Sequence, residues 1–457
     1  MNKTAVLNIV GLTPKLIGPA TPKLAAWVKG ATLTRVQPAF PAVTCSAQTN
    51  YLTGQLPSVH GIVGNGWYSR EEAEVKFWKQ SNALVQAPKI WDAARAIDPS
   101  FTCANLFWWF NMYSTADYSV TPRPMYPADG RKIPDVYTHP PDLRQDLQGT
   151  LGTFPLFDFW GPRAGITSTA WIAEAAKRVE QKFNATLSLV YLPHLDYDLQ
   201  RLGGDPAVVA DALGEIDQVA GDLIAFYESR GARVIVLSEY GIRDVKRPIH
   251  LNRVLRTQGL LTVRDERGLD VIDPGGSAAF AVADHQVAHV YVNDRSKLGA
   301  VRAALDRVGG IEFIWGDAEK AAHGMNHARS GDFILVAADD AWFTYYYWLD
   351  DRRAPDYART VDIHRKPGYD PVELFLDPAI KRPPLTVGWK LLKRNLGFRS
   401  LLDVIPLNAH LVKGSHGRQG GWDDDSPVFI SKLGRPDTGA QPVSTDVYGW
   451  ILRHLTD

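Results

Sequence analysis

Cysteine is scarce in this chain of 457 residues, which contains only Cys45 and Cys103. A single pair of cysteines cannot build the disulfide framework that holds small secreted proteins together. The fold must therefore be stabilised by a buried apolar core, and a chain of this length can bury a large one. We expect one large domain that carries an insertion.

Net charge and long apolar runs are also missing. The 50 Lys and Arg residues balance the 50 Asp and Glu residues, which argues against binding a nucleic-acid polymer through bulk charge. No stretch approaches the roughly 20 apolar residues that cross a bilayer. The N-terminal sequence MNKTAVLNIVGLTP lacks the apolar segment and cleavage site of a secretion signal. We therefore expect a cytoplasmic protein without a membrane partner.

Buried strands alternate with amphipathic helices along the chain. Short apolar runs bounded by turn residues predict strands, and apolar residues at helical spacing predict helices. The predicted strands are 5–10, 101–109, 187–192 and 233–237, and the predicted helices are 88–97, 171–183 and 206–229, the last with Asp205 as its N-cap. This alternation predicts an α/β fold with a mostly parallel central sheet and helices on both faces. Ligands of such sheets bind beyond the carboxyl ends of the strands.

The sequence changes in character after residue 338. The stretch WFTYYYWLDDRRAPDYARTVDIHRKPGYDP is aromatic, charged and interrupted by proline. We interpret 339–409 as an inserted cap, 1–338 as the core, and 410–457 as a return to the core that contains the turn Gly-Ser-His-Gly.

The segment 40–68, FPAVTCSAQTNYLTGQLPSVHGIVGNGWY, points to phosphoryl chemistry. Phe40-Pro41 ends an extended stretch, so Thr44 lies where a helix over about 45–53 begins. The N–H groups at a helix N-terminus favour an anion, and a threonine there can attack a phosphate if its pKa is lowered. Asn65 lies between two glycines, and its amide can donate to a phosphate oxygen. The alternative is that Thr44 is an N-cap and Asn65 an ordinary turn residue.

This segment resembles the nucleophile region of nucleotide pyrophosphatase/phosphodiesterases, which belong to the alkaline phosphatase superfamily. The pattern Phe-Pro-x-x-Thr, then Thr-Gly-x-x-Pro-x-x-His-Gly-Ile, then Asn is present in full. The resemblance implies an alkaline phosphatase-like fold with Thr44 as nucleophile and Asn65 as donor to a phosphate oxygen. It assigns His60 to a structural turn.

The resemblance also implies a pair of metal ions, usually zinc, held by residues at the ends of separate strands. Asp196 and His416 match the expected ligands, and Glu239 is a competent replacement for an aspartate. The other expected ligands are replaced by residues that coordinate poorly or not at all: Val10, Gln200 and Tyr240. Fewer than two ions are therefore expected. Three outcomes are open. One ion could be held by Asp196, Glu239 and His416, with or without Asp198 or His194. His364 or Asp362 could contribute a ligand from the insertion, or the pocket could bind a ligand without metal chemistry.

Aromatic residues near the motif are candidates for binding the substrate. The resemblance places Tyr191 where a tyrosine stacks on the nucleotide base, and Trp67 and Tyr68 could extend that wall, although packing explains buried aromatics equally well. Cys45 stands where the family commonly has an aromatic residue. A thiol at a helix N-terminus can have a lowered pKa, so Cys45 is an alternative nucleophile.

The sequence thus predicts a phosphodiesterase or pyrophosphatase-like hydrolase that acts on a small phosphorylated substrate with a threonine nucleophile. It also predicts a bound divalent metal, for which zinc is the first candidate. Two alternatives stay open. One is a pseudo-enzyme that binds a phosphorylated ligand without turnover. The other is a phosphoryl or sulfuryl group transferase.

Overall fold

The computed structural model describes residues 1–396, 398 and 400–457. Its strands are β1 (Thr4–Ile9), β2 (Thr32–Arg35), β3 (Gly66–Ser69), β4 (Glu74–Phe77), β5 (Cys103–Leu106), β6 (Tyr118–Pro122), β7 (Val136–His139), β8 (Leu187–Leu192), β9 (Arg233–Leu237), β10 (Arg243–Asp244), β11 (Arg247–Ile249), β12 (Val263–Glu266), β13 (Leu269–Ile272), β14 (Ala279–Asp284), β15 (Val287–Val292), β16 (Ile311–Trp315), β17 (Phe333–Ala337), β18 (Ala341–Phe343), β19 (Gly414–Ser415) and β20 (Val428–Ser431).

The helices connect these strands and cover the sheet. They are α1 (Pro22–Val28), α2 (Thr44–Thr53), α3 (Pro57–His60), α4 (Ile90–Ile97), α5 (Leu143–Leu151), α6 (Ile166–Phe183), α7 (His194–Leu202), α8 (Ala210–Ser229), α9 (Leu251–Thr257), α10 (Leu298–Leu305), α11 (Asp317–Ala322), α12 (Pro383–Asn395) and α13 (Asp446–Thr456).

The central sheet has eight strands in the order β2-β20-β9-β1-β8-β5-β6-β7. The run from β9 to β6 is parallel, and the strands at both edges pair antiparallel. Every residue of β1 and β8 is buried, which requires cover on both faces of the sheet. The helices α1, α6 and α8 pack together in one group, and α2, α4 and α13 pack together in another.

The predicted elements agree with this sheet except at their ends. β8 and β9 have the predicted bounds, β1 covers Thr4–Ile9, and the strand predicted over 101–109 is only the four residues of β5. The helix predicted from residue 206 begins at Ala210, so Asp205 is not its N-cap. The Asp205 side chain instead accepts from the N–H of Ala207, in a turn before the helix.

A second apolar core lies around an antiparallel sheet of four strands in the order β14-β15-β17-β16. Its buried residues run from Val245 to Val412 and include the aromatic series Tyr345 to Trp348, together with Tyr68 and Phe77. This core crosses the boundary predicted at 338/339. The division into 1–338, 339–409 and 410–457 stays a prediction.

His60 ends α3 and is completely buried. Its Nδ1 accepts from the Ile62 N–H at 3.0 Å, and its Nε2 lies 2.8 Å from Asn50 Oδ1. Burial, aided by the charges of His327 and Arg329, lowers the pKa of His60 to about 3. His60 is thus a neutral part of the turn that connects α2 to Asn65.

We predict that this histidine makes folding sensitive to acid. Its pKa is lower in the folded chain than in the unfolded chain, where it is about 6.5, so its contribution is present above pH 6.5 and is lost as the pH falls towards 3. Below pH 6.5 the free energy of unfolding should fall by up to about 1.4 kcal/mol per pH unit for this group.

Urea unfolding of the wild type and of His60→Gln at pH 7, 6 and 5 measures this loss. The variant should be less stable at pH 7 and should show a shallower pH dependence. Parallel pH dependences for the two proteins would contradict the assignment.

Candidate active site

Thr44 is the first residue of α2 and is buried at the carboxyl edge of the central sheet. Val43 before it is extended, with φ of −131°, so the chain turns sharply into the helix at this point. The next N–H, that of Cys45, donates to Asn65 Oδ1 at 3.1 Å. Thr44 and Asn65 are therefore tied together through the first turn of α2.

Asn65 is held by a carboxylate that sequence reasoning missed. Its backbone N–H donates to Asp284 Oδ2 at 2.7 Å, and its Nδ2 donates to Asp284 Oδ1 at 3.0 Å. The flanking Gly66 allows a close approach, because a Cβ there would lie 2.4 Å from the Phe77 ring. Burial raises the pKa of Asp284 to about 7, against the effect of the two hydrogen bonds from Asn65.

The Tyr240 hydroxyl connects Thr44 to Asp196. It lies 3.1 Å from Thr44 Oγ1 and donates to Asp196 Oδ1 at 3.4 Å. Tyr240 follows β9, and Asp196 lies in α7 directly after β8. These two strands flank β1 in the parallel sheet, so both residues lie at the same edge. Burial raises the pKa of Asp196 to about 7, and hydrogen bonds from Gln200 and Tyr240 oppose this.

Glu239, next to Tyr240, is held by two amide groups. Asn8 Nδ2 donates to its Oε1 at 2.5 Å, and Gln48 Nε2 donates to the same oxygen at 2.7 Å. Burial raises the pKa of Glu239 to about 8, and the hydrogen bonds from Gln48 and Asn8 oppose this. Its Oε2 is buried without a hydrogen-bond partner in the described structure.

His416 packs against the ring of Tyr240. Its ring stacks on Tyr240 with centroids 3.6 Å apart, and its Nδ1 lies 2.7 Å from the carbonyl oxygen of Ala42. Its Nε2 is 3.8 Å from Asp196 Oδ1. Burial lowers the pKa of His416 to about 3, so the ring is neutral.

The structure therefore brings the five predicted residues Thr44, Asn65, Asp196, Glu239 and His416 to one buried site, through Tyr240 and the Cys45 N–H. Besides Asp284, two aromatic groups from distant segments complete it. The His285 ring lies between the rings of His416 and Tyr369, with centroids 3.6 Å and 3.7 Å away. The Tyr369 hydroxyl donates to Gln200 Oε1 at 3.0 Å.

The predicted substrate-binding aromatics are both buried. Tyr191 is in β8 opposite Asn8 of β1, and a hydrogen bond with Thr44 opposes the rise in its pKa that burial causes. Trp67 packs in a small apolar cluster, and the Arg329 guanidinium covers its ring at 4.8 Å. A role for either side chain in binding substrate stays a prediction.

Cys45 does not have the lowered pKa that a nucleophile at this position needs. The thiol is completely buried, and desolvation together with the nearby Asp284 and Glu239 raises its pKa well above the usual value. His194 Nε2 lies 3.1 Å from Glu215 Oε2, and His364 Nδ1 faces the carbonyl oxygen of Phe77 at 3.4 Å, so both have partners away from Thr44.

The pair of metal ions implied by the resemblance does not fit these side chains. Val10 has no donor atom. Gln200 Nε2 donates to Asp196 Oδ2 at 2.6 Å, and the Tyr240 hydroxyl is bonded to Thr44 and Asp196. Within the described part of the chain, no group of three His, Cys, Asp or Glu residues could hold an ion. The predicted set Asp196, Glu239 and His416 is therefore not such a group in the described structure.

A small cavity of about 20 Å³ lies beside Tyr240 and His416. Its volume suffices for about one water molecule. Arg243 and Arg418 line it. Arg243 forms ion pairs with Asp423 and Asp425, and Arg418 forms ion pairs with Glu312 and Asp339. The cationic side chains that border this cavity are therefore each paired with two carboxylates.

Comparison with solved structures confirms the predicted fold class. An inactive variant of murine ectonucleotide pyrophosphatase/phosphodiesterase 5 in complex with AMP matches with a TM-score of 0.60 and 14% identity over 100% of this chain and 95% of that one. Phosphonoacetate hydrolase from Sinorhizobium meliloti 1021 in complex with phosphonoacetate matches with a TM-score of 0.61 and 14% identity over 100% of this chain and 96% of that one. Human ectonucleotide pyrophosphatase/phosphodiesterase 5 matches with a TM-score of 0.59 and 14% identity over 99% of this chain and 94% of that one. The chain has the fold of these alkaline phosphatase-superfamily enzymes.

No curated protein matches the sequence. No helix in the described ranges has both the length and the apolar character to cross a membrane. The family model for type I phosphodiesterase / nucleotide pyrophosphatase matches residues 4–370, most of the chain. That match covers Thr44, Asn65, Asp196, Glu239 and Asp284, and with it the resemblance seen in the sequence is confirmed: this chain belongs to the type I phosphodiesterase/nucleotide pyrophosphatase family of phosphoester hydrolases.

Proposed function

We propose that this chain hydrolyses an ester of a small phosphorylated compound, with Thr44 as the nucleophile. The observation that carries the proposal is the line from Thr44 Oγ1 through the Tyr240 hydroxyl to Asp196, with distances of 3.1 Å and 3.4 Å. A hydroxyl at a helix N-terminus in contact with an acceptor chain is the arrangement that an activated nucleophile requires.

In this mechanism the Thr44 oxygen attacks phosphorus in line with the leaving group. The Thr44 proton passes to the Tyr240 oxygen while the Tyr240 proton passes to Asp196, so the tyrosine is unchanged at the end of the step. The P–O bond to the leaving alcohol breaks as the bond to Thr44 forms, and the alcohol oxygen takes up a proton from solvent water. A water molecule then attacks phosphorus in the phosphothreonine and gives a proton to solvent. The P–O bond to Thr44 breaks, and Asp196 returns its proton through Tyr240 to the Thr44 oxygen.

The charge that develops on phosphorus needs donors fixed in advance. Asn65 is the candidate donor, since Asp284 holds both its backbone and its amide nitrogen. The neighbours that hold AMP or phosphonoacetate support a small anionic ligand.

A separate observation favours a second function, the binding of a phosphorylated ligand without turnover. The Thr44 hydroxyl is already bonded to Tyr240, and Thr44 is only 3% exposed, so the hydroxyl is not open to a phosphate ester in this conformation. A chain that binds a phosphorylated ligand without turning it over would show these features. Catalytic assays and ligand-induced stabilisation distinguish the two functions.

We predict that Thr44→Ala lowers hydrolysis of an activated phosphodiester by more than about a thousandfold, because the attacking oxygen is gone. Thr44→Ser should keep part of the rate, since its hydroxyl is retained without the methyl group that restricts the rotamer. Steady-state kinetics with chromogenic phosphodiesters and phosphomonoesters measure both effects.

Thr49→Ala is the matched control. It removes a buried threonine hydroxyl from the same helix that bonds only to the Cys45 carbonyl oxygen, and it should leave the rate unchanged. Wild-type activity that survives Thr44→Ala rules out the mechanism. A wild type with no hydrolysis under any added divalent metal, yet with a raised Tm in AMP, supports the binding function instead.

We predict that Asp284 acts through Asn65. Asn65→Ala should lower kcat by roughly tenfold to a thousandfold, the range for one fixed donor. Asp284→Asn should lower it less, since one acceptor oxygen is retained for the Asn65 N–H. The double variant should be no slower than Asn65→Ala alone, because both changes remove the same contact.

Asp217→Asn controls for the loss of a buried carboxylate, since Asp217 accepts from the N–H groups of Lys23 and Leu24 away from the site. It should leave kcat unchanged. Rate losses that multiply in the double variant would show that Asp284 and Asn65 act independently.

We predict that the purified chain holds fewer than two zinc ions, because Val10, Gln200 and Tyr240 replace strong ligands. Elemental analysis after dialysis against zinc measures the content. The triple variant Val10→Asp, Gln200→His, Tyr240→His restores the donors and should bind more zinc than the wild type. Two tightly held zinc ions in the wild type would mean that other residues form the metal centre.

A further inference from the structure

The helix α12 presents apolar side chains to solvent. Leu385, Trp389 and Leu392 in this helix are 64%, 57% and 48% exposed, and Leu396, which follows it, is 67% exposed. Large side chains with this exposure in consecutive turns form a contiguous apolar surface rather than scattered exceptions.

These four positions share one side of the helix. Their spacings of four, three and four residues keep them within about 60° of the helix circumference at 100° per residue. The opposite side attaches the helix to the body of the protein. Val387 packs against the second core, and Lys390 forms an ion pair with Asp403. The apolar stripe is therefore directed away from the fold, and we call Leu385, Trp389, Leu392 and Leu396 the α12 stripe.

The sequence segment that contains the α12 stripe is rich in basic residues. The sequence 378–402 contains Lys381, Arg382, Lys390, Lys393, Arg394 and Arg399 and no Asp or Glu, although the whole chain has no net charge. The Lys393 ammonium lies over the Trp389 ring at 5.3 Å, so positive charge borders the apolar surface directly. Phe398 and Leu401, which are 66% and 51% exposed, continue the apolar surface beyond the helix.

We propose that the α12 stripe binds the surface of an anionic lipid bilayer, with the helix lying in the interfacial plane. A helix with Trp and Leu on one side and Lys and Arg beside them is suited to insert its apolar side among acyl chains while its cations contact lipid headgroups. Tryptophan favours the same depth in the membrane.

A second copy of the chain fits this surface less well. A symmetric dimer would place the same patch against itself, so the two basic segments would face each other without acidic residues between them. The interior of a protein interface is also depleted of lysine, whereas Lys393 touches the stripe here.

Binding to a surface is compatible with the lack of a membrane-spanning helix in the described chain. The thirteen residues of α12 extend about 20 Å, less than the roughly 30 Å of the hydrocarbon layer. The proposal departs from the sequence-based expectation of no membrane partner only for contact with one leaflet.

Vesicle flotation of the full chain tests the proposal. In about 0.1 M salt, the protein should float with phosphatidylcholine vesicles that contain roughly 30% phosphatidylserine, and should bind pure phosphatidylcholine at least about tenfold more weakly. The double variant Trp389→Ser, Leu392→Ser should lower binding to the anionic vesicles by about tenfold or more. Lys381→Glu, Lys393→Glu should do the same and should remove the salt dependence.

The matched control is Ile97→Ser, Phe157→Ser, which removes two exposed apolar side chains from other parts of the surface and should float as the wild type does. Failure of the wild type to float with anionic vesicles overturns the proposal, as does binding that the stripe variant retains. A dimer in light scattering that Trp389→Ser, Leu392→Ser dissociates, without vesicle binding by the wild type, would assign the surface to a second copy and would also overturn it.

Discussion

The buried Tyr240 hydroxyl is the contact on which the rest of the site depends. It joins the first residue of α2 to the carboxylate that follows β8, while its ring lies flat against His416 near the C-terminal end of the chain. Three segments that are remote in sequence are thus fixed relative to the nucleophile position by one side chain. A smaller residue at this point would leave a hole beside Thr44, and a histidine would change the donors that face it.

The carboxylates around this tyrosine are balanced by amides rather than by cations. Asp196 is bonded by Gln200, Glu239 by Asn8 and Gln48, and Asp284 by Asn65. Neutral donors stabilise a buried negative charge only in part, so burial still raises the pKa of each carboxyl. In the family pattern, metal ions would supply the missing positive charge.

Local patterns predicted the parts of the molecule that depend on local chemistry. The apolar runs of β8 and β9 gave their bounds, and the threonine and glycine-flanked asparagine of the 40–68 segment gave two residues of the site. Asp284 could not be found this way, because Asp284 and His285 lie at a hairpin turn, where polar residues usually face water. Tyr369 was hidden for a similar reason, since it comes from a segment interpreted as a cap. Only the packing of the second core against the central sheet brings both residues to Thr44.

The burial of Thr44 and its partners has a consequence for how any ligand reaches them. Because Thr44, Asn65 and Asp196 are all buried, a phosphate ester contacts them only in conformations in which the surrounding segments have separated. The apparent affinity is then the intrinsic affinity multiplied by the fraction of molecules that are open. If one molecule in a hundred is open, binding is weakened by about 2.7 kcal/mol, and association is slowed to the rate at which the open form is supplied. Substrate selection in such a protein is decided as much by the cost of separating those segments as by the groups that finally touch phosphorus.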